Sequence, residues 1–130
     1  MIVVDTSAVL SVMLEEPEAD TVREALLRAS GRSMAASNYV ECAMVMAGRR
    51  MGGRVDLDEW LNLRRIEVAA VDRQIAVLAA DALVRFGKGR HPAGLNYGDC
   101  FAYALAKHLG APLLYMGQDF ALTDVASALV

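Results

Sequence analysis

Four carboxylates stand where the local sequence offers little to neutralise them: Asp5, Glu41, Asp99 and Asp119. Asp5 is the first residue beyond the β-branched run Ile2-Val3-Val4. Glu41 lies in the first turn of a helix among Val40, Cys42, Ala43, Val45 and Met46, and the basic side chains Arg49 and Arg50 follow only two turns later. Asp99 is the single charge between Asn96 and Ala106. Asp119 follows an apolar strand in Met116-Gly117-Gln118-Asp119-Phe120. Each acid alone reads equally well as a helix cap, a dipole partner or a turn residue, and Asp124 reads as a surface or helix-local acid as readily as a helper. Their shared trait is position, because all lie at a strand exit or a helix start. Strand exits of one sheet converge in space, and unpaired carboxylates meeting there repel and raise one another's pKa. A hard divalent cation relieves that conflict. Oxygen ligands without His or Cys favour magnesium or manganese over zinc. His91, in a glycine-rich loop, and His108, at a helix end, fall outside the pattern and read as surface residues. Carboxylate-bound magnesium meets substrates through phosphate oxygens, which makes phosphodiester cleavage the natural chemistry of such a cluster.

The elements that must position these acids alternate between strand and helix. Met1–Val4 reads as a buried parallel strand, followed by a short helix over Ala8–Leu14 that Pro17 interrupts. An amphipathic helix is predicted from Glu18 to Ala29, stopped by Gly31, and a second strand over Ser33–Ala36. Ser37 or Asn38 is the expected cap of the Glu41 helix, which runs to about Arg50 before Gly52-Gly53. Asp56 or Asp58 opens a helix carrying Trp60, Leu61 and Leu63. Glu67–Val71 reads as the third strand, and Asp72 caps a helix over Arg73–Phe86. Residues 87–98 form a loop, Asp99 starts a helix to Leu109, Leu113–Met116 is the last strand, and a final short helix covers Ala121–Ala126. This order predicts an α/β domain with a parallel sheet covered on both faces.

With 130 residues the chain is expected to be one domain, residues 1–130, with a core that needs no disulfide or metal staple. The longest apolar runs are far shorter than the ~20 residues of a membrane-spanning helix. The N-terminus shows no export signal and the two cysteines, Cys42 and Cys100, form no C-x-x-C pattern, so the expectation is a cytoplasmic chain with buried thiols. Thirteen Lys and Arg against sixteen Asp and Glu give a net charge of −3. A strongly basic nucleic-acid coat protein is thereby excluded, and any nucleic-acid role rests on a local site.

Four motifs in order carry a resemblance: the opening Ile-Val-Val-Asp-Thr-Ser-Ala, the Glu41 helix, the stretch Gly87 to Ala106 containing Leu-Asn-Tyr-Gly-Asp-Cys, and Leu113 to Val125 containing Gly-Gln-Asp-Phe and Thr-Asp-Val. Together they resemble the PIN-domain family, and most of all its VapC ribonuclease toxins, over residues 1–125. The resemblance implies a Rossmann-like three-layer domain whose central, mostly parallel sheet is flanked by helices. It further implies a Mg2+- or Mn2+-dependent endoribonuclease, a homodimer, and inhibition by a small VapB-type antitoxin. By position, Asp5, Glu41, Asp99 and Asp119 take the family's acidic, metal-binding roles. Thr6 and Ser7 fall where its Asp-Thr-Ser places hydroxyls beside the metal, Asn96 matches the Asn of Leu-Asn-x-Gly-Asp, and Thr123 with Asp124 matches its final Thr-Asp. One departure is Gln118, where relatives carry Asn or Asp. For RNA contacts the basic candidates are Arg49, Lys88, Arg90 and His91, with Arg50 and Arg54 beyond them; backbone contacts of this kind confer affinity and little sequence choice.

Two other readings compete on the residues. An aspartyl-phosphate enzyme usually has a second Asp two residues after its nucleophile, a place held here by Ser7. A non-catalytic PIN-like module that binds RNA or protein would have lost one or more of the acids, and none is lost.

Overall fold

The computed structural model describes residues 1–129. Four strands, β1 (Ile2–Val4), β2 (Arg32–Ala35), β3 (Ile66–Ala69) and β4 (Leu113–Leu114), form one sheet in the order β3-β2-β1-β4. Every pairing is parallel, with Val3 opposite Ser33 on one side and Leu113 on the other. The expectation of a parallel sheet is met, and the strands are short.

Alternation along the strands divides the core in two. Ile2, Val4, Met34 and Leu114 pack on one face against α1 (Thr6–Met13), α2 (Ala19–Arg28), α3 (Ala36–Gly48) and α4 (Arg54–Leu63). Val3, Ala35 and Leu113 point to the other face, against α5 (Arg73–Phe86) and α6 (Tyr97–Leu109). The result is the expected three-layer sandwich. Helix α6 is the most buried of the set, with Ala102 to Ala106 all inside; Gly110 ends it in the left-handed conformation (φ 61°) that glycine adopts without strain.

The chain leaves β1 for β2 and then β3 in one direction, and returns to the opposite side of β1 for β4. The strand order therefore reverses at β1. In open α/β sheets this switch point opens a crevice beyond the carboxyl ends of the strands, and Asp5 is the residue that enters it.

Several boundaries differ from expectation for physical reasons. Helix α1 starts at Thr6, directly after β1, so Asp5 itself is the N-cap. Helix α3 starts at Ala36 with Ala35 at the cap position, and neither Ser37 nor Asn38 caps it; Asn38 is fully buried inside the first turn instead. Asp56 sits three residues inside α4's cap and accepts back from the Gly53 N–H. Asn96, not Asp99, is the cap of α6. The expected helix over 121–126 is only a 3-10 turn, Phe120–Leu122, because Asp124 and its neighbours are drawn onto the α5–α6 layer.

Leu114 is wholly buried beneath the α1–α3 layer. Leu114→Ala is expected to lower the unfolding free energy by about 2–5 kcal/mol, measured by urea titration; a loss below about 1 kcal/mol would mean that β4 does not anchor the sheet.

Candidate active site

Asp5 leaves β1 with extended backbone (φ −84°, ψ 157°) and caps α1. Its Oδ2 accepts from the Ser7 N–H at 3.0 Å and the Ser7 hydroxyl at 2.6 Å. Ser7 Oγ in turn accepts from the Met116 N–H just beyond β4, at 2.9 Å. One hydroxyl thus joins the exits of the two strands that flank the switch point. The other carboxylate oxygen, Asp5 Oδ1, is buried and meets no donor. Capping and ligation are therefore not alternatives, since one oxygen caps while the other remains to bind.

Asp99 shows the same division. With Asn96 it forms a reciprocal capping box: the Asp99 N–H donates to Asn96 Oδ1 at 2.9 Å and the Asn96 N–H to Asp99 Oδ2 at 3.1 Å. Asn96 holds the turn that presents the acid. Glu41, half-buried on α3, accepts at Oε1 from the Thr6 hydroxyl (2.5 Å) and from Asn38 Nδ2 (3.3 Å). Asn38 Nδ2 also donates to the Gly98 carbonyl at 3.0 Å, tying α3 to the first turn of α6.

Burial and like charge act together on these acids. Asp5 is pushed up to about 7, chiefly by desolvation and further by the charges of Asp99 and Glu41, against the lowering effect of Ser7. Burial likewise lifts Asp99 to about 6, aided by Asp119 and Glu41. Asp5 and Asp99 therefore each feel the Glu41 charge, and Asp119, exposed at the rim of the crevice ahead of the 3-10 turn, acts on Asp99. Cys42, beneath Asp5 and Glu41, is pushed up to about 12 by burial and stays a thiol; both cysteines are free and buried, as expected.

The donor set suits a hard cation: carboxylates at strand exits, the orphaned Asp5 Oδ1, and no imidazole or thiolate aimed at them. Among the described residues no three His, Cys, Asp or Glu side chains converge closely enough to enclose a metal by themselves. Magnesium commonly binds through one or two carboxylates and keeps several waters, so an open array fits it better than it fits zinc.

Other predicted residues lie elsewhere. Thr123 Oγ1 donates to the Phe120 carbonyl and accepts from the Val125 N–H, so it builds a turn. Asp124 accepts from the Tyr103 hydroxyl at 2.5 Å and pairs with Lys107 and Arg85, contacts that hold its carboxyl below the usual range. This pair fastens the C-terminal segment to α5 and α6. Lys88 and Arg90 are exposed on the loop before α6, and Arg49 is exposed beyond α3. His91 is partly spent on structure: its Nδ1 accepts from the Ala93 N–H and its ring stands edge-on to Phe86. From sequence Asn38 reads only as a candidate helix cap and Gly98 only as part of the Leu-Asn-x-Gly-Asp stretch, although the three-residue spacing of Asn38 and Glu41 already places them on one helix face.

Comparison with known proteins fits this geometry. The chain matches the PIN domain family over residues 2–126. It belongs to that family. Ribonuclease VapC of Mycolicibacterium smegmatis is 47% identical over 127 residues, covering 96% of this chain and 98% of the relative. Among solved structures, VapC20 of Mycobacterium tuberculosis, described as a toxin that cleaves the sarcin-ricin loop, superposes with a TM-score of 0.77 at 16% identity, covering 97% of each chain. A toxin–antitoxin complex from Klebsiella pneumoniae gives a TM-score of 0.74 at 12% identity, covering 100% of this chain and 98% of that one. The two solved structures bear on the fold, and the M. smegmatis relative places this PIN domain in the VapC branch.

Asp5 and Asp99 make the stability of the fold depend on pH. Both folded-state pKa values lie above the unfolded value of 3.8. Between about pH 4 and 7 the folded chain then binds more protons than the unfolded one, so stability falls as pH rises through that window. Tm of the chelator-treated protein is expected to be higher at about pH 5 than at about pH 8, with the difference reduced in Asp5→Asn. A Tm that rises with pH over this range would contradict the burial of an unneutralised Asp5.

Proposed function

We propose that this PIN domain is the toxin of a toxin–antitoxin pair, an endoribonuclease that hydrolyses RNA phosphodiester bonds with Mg2+ or Mn2+ at Asp5, Asp99 and Glu41, and Asp119 at the rim. One observation carries the reading: the Asp5 carboxylate is buried at the switch point beside two like charges, with one oxygen unpartnered. That the phosphodiester belongs to RNA is supported by the ribonuclease activity named for the M. smegmatis relative.

Asp5, Asp99 and Glu41 would hold the divalent cation, which when bound would supply Lewis-acid stabilisation to a phosphate and a lowered pKa for a water at the site. The chain's own residues prepare for it. Ser7 fixes the Asp5 carboxylate to the end of β4, and the Asn96 box fixes Asp99. Thr6 and Asn38 hold Glu41 from the opposite side. Near neutral pH Asp5 and Asp99 are poised to exchange a proton for a cation, since their protonation lies near 7 and 6. Lys88, Arg90 and Arg49 are placed to meet RNA backbone. The Tyr97 ring, exposed beside Gly98 and set edge-on to Phe101, offers a face on which an unpaired base can stack.

The partner reading is a small VapB-type antitoxin, supported by the complex among the structural neighbours. A homodimer is supported by apolar side chains left exposed on α3 (Val40, Met44) and α5 (Val77, Val84); light scattering at twice the 14.0 kDa chain mass is the test, and a single-chain mass would exclude it. The site of action is the cytoplasm. Among the described residues no helix is long and apolar enough to cross a membrane.

Asp5→Asn, Glu41→Gln and Asp99→Asn are each expected to reduce divalent-dependent RNA cleavage on the order of a hundredfold or more, with circular dichroism unchanged. Expression of the parent chain is expected to arrest growth and co-expression of the antitoxin to relieve it; unimpaired growth with folded protein present would count against the toxin role. Cleavage at parental rates in all three variants would overturn the assignment of these acids, whereas no divalent binding by calorimetry and no cleavage by the parent would leave a non-catalytic binding module as the reading. Tyr97→Ala is expected to raise KM for RNA roughly tenfold with kcat little altered; an unchanged KM would remove Tyr97 from the RNA path.

A further inference from the structure

Glu41 is aimed by residues that carry no charge. Asn38, one turn earlier on α3 and completely buried, donates from Nδ2 both to Glu41 Oε1 and to the Gly98 carbonyl. On the α6 side, a Cβ built on Gly98 would lie 2.3 Å from Glu41 Oε2 and 2.8 Å from both Cδ and Oε1. The Glu41 carboxylate therefore rests on the bare Cα of Gly98. Nothing in the backbone requires glycine there, because Gly98 is the second residue of a regular helix and its φ is not positive. Alanine would favour the helix on propensity alone. What glycine provides at this position is room.

We propose that Gly98 and Asn38 are positioning residues for Glu41: Gly98 is the seat on which the carboxylate lies, and the Asn38 amide locks that seat to α3. The inference rests on the reading of Glu41 as a site acid. The physical need is clear from the neighbours. Asp99 is the very next residue after Gly98, and the Glu41 charge acts on both Asp99 and Asp5. A glutamate with three rotatable bonds would otherwise turn away from two like charges, at an entropic gain. With an amide and a hydroxyl donating to Oε1 and no side chain beneath Oε2, the carboxylate stays beside Asp99. A purely structural role, in which the missing side chain lets α3 and α6 pack closely, predicts a different dependence on Glu41.

The experiment is a double-mutant cycle of Gly98→Ala and Glu41→Asp, which withdraws the carboxylate from the seat by one methylene. In Gly98→Ala, Tm of the metal-free protein is expected to equal or exceed the parent's, while Mn2+ affinity by calorimetry falls roughly tenfold. The kcat for RNA falls with it and KM does not. In the Glu41→Asp background the same alanine changes Mn2+ affinity less than about twofold, because coupled residues are non-additive. A metal-free readout stands apart from activity. The Asn38 side-chain amide protons, observed by NMR, are expected to lose exchange protection in Gly98→Ala, and adding the alanine to Glu41→Asp is expected to cause little further loss. If that NMR pattern appears but Glu41→Gln cleaves RNA like the parent, the seat stands and the catalytic role of Glu41 fails. If Gly98→Ala leaves the Asn38 amide signals unchanged, or costs as much in the Glu41→Asp background as in the parent, the seat is overturned.

Discussion

The constraint on which the site depends is that β1 is covered on both faces and sits where the strand order reverses. A strand in that position delivers its next residue into the base of the crevice, largely shielded from bulk water. That residue is an aspartate, 3% exposed. Charge so placed costs several kcal/mol unless it is paired or hydrogen-bonded, and the surroundings answer only half of the demand. The Ser7 hydroxyl and N–H satisfy one oxygen, while Asp99 and Glu41 bring further negative charge to the other side. Stability and function pull against each other here, with the strain concentrated in a few groups at the carboxyl ends of β1 and β4.

The polar contacts around the crevice follow a common plan. Each acid spends one oxygen on local structure: Asp5 on the cap of α1, Asp99 on the box of α6, and Glu41 on Thr6 and Asn38. Those bonds fix direction without neutralising charge, because their donors are amides and hydroxyls, not cations. Arginine or lysine in the same places would have formed buried ion pairs and closed the site to any other cation. The basic residues are engaged elsewhere, as in the Arg54 pair with Asp58 and the Arg85 and Lys107 pairs with Asp124.

How far this was legible in sequence depends on the range of the interaction. The β-branched opening, the apolar α6 and the alternation of elements are local signals, and they carried the parallel sheet and the convergence of Asp5, Glu41, Asp99 and Asp119. The roles of Ser7 and Asn38 were not legible, because they consist of bonds to Met116 and Gly98, residues 109 and 60 positions away. Asn38 was expected to cap its helix, as asparagine does at so many helix starts. The chain enters α3 straight from β2, leaving Asn38 inside the first turn and turned toward α6. Asp124 failed as an outer member of the cluster for the converse reason. Its partners Tyr103, Lys107 and Arg85 lie on the other layer and far off in the sequence, so nothing beside Asp124 in the chain shows which way it faces. Asp119 lay between: its approach to Asp99 was expected from the strand exit, whereas the irregular turn that carries it was not.

Net charge bears on the same point from the side of the substrate. A chain at −3 has no long-range attraction for a polyanion, and its most buried acids lie where a phosphate would have to approach. Without a cation, acids so placed would repel the phosphate that the proposed reaction brings to the crevice. With one, the local sign reverses over a few ångströms, well inside the ~8 Å Debye length of physiological salt, while the rest of the surface stays acidic. On the proposed reading, affinity for nucleic acid would thereby be confined to one place on the molecule and made conditional on the metal. Exposed Lys88 and Arg90 on the loop entering α6 would, on the same reading, extend that small positive zone by a few contacts, so that recognition of a particular RNA would fall to the shape of the strand and its unpaired bases more than to bulk electrostatic attraction.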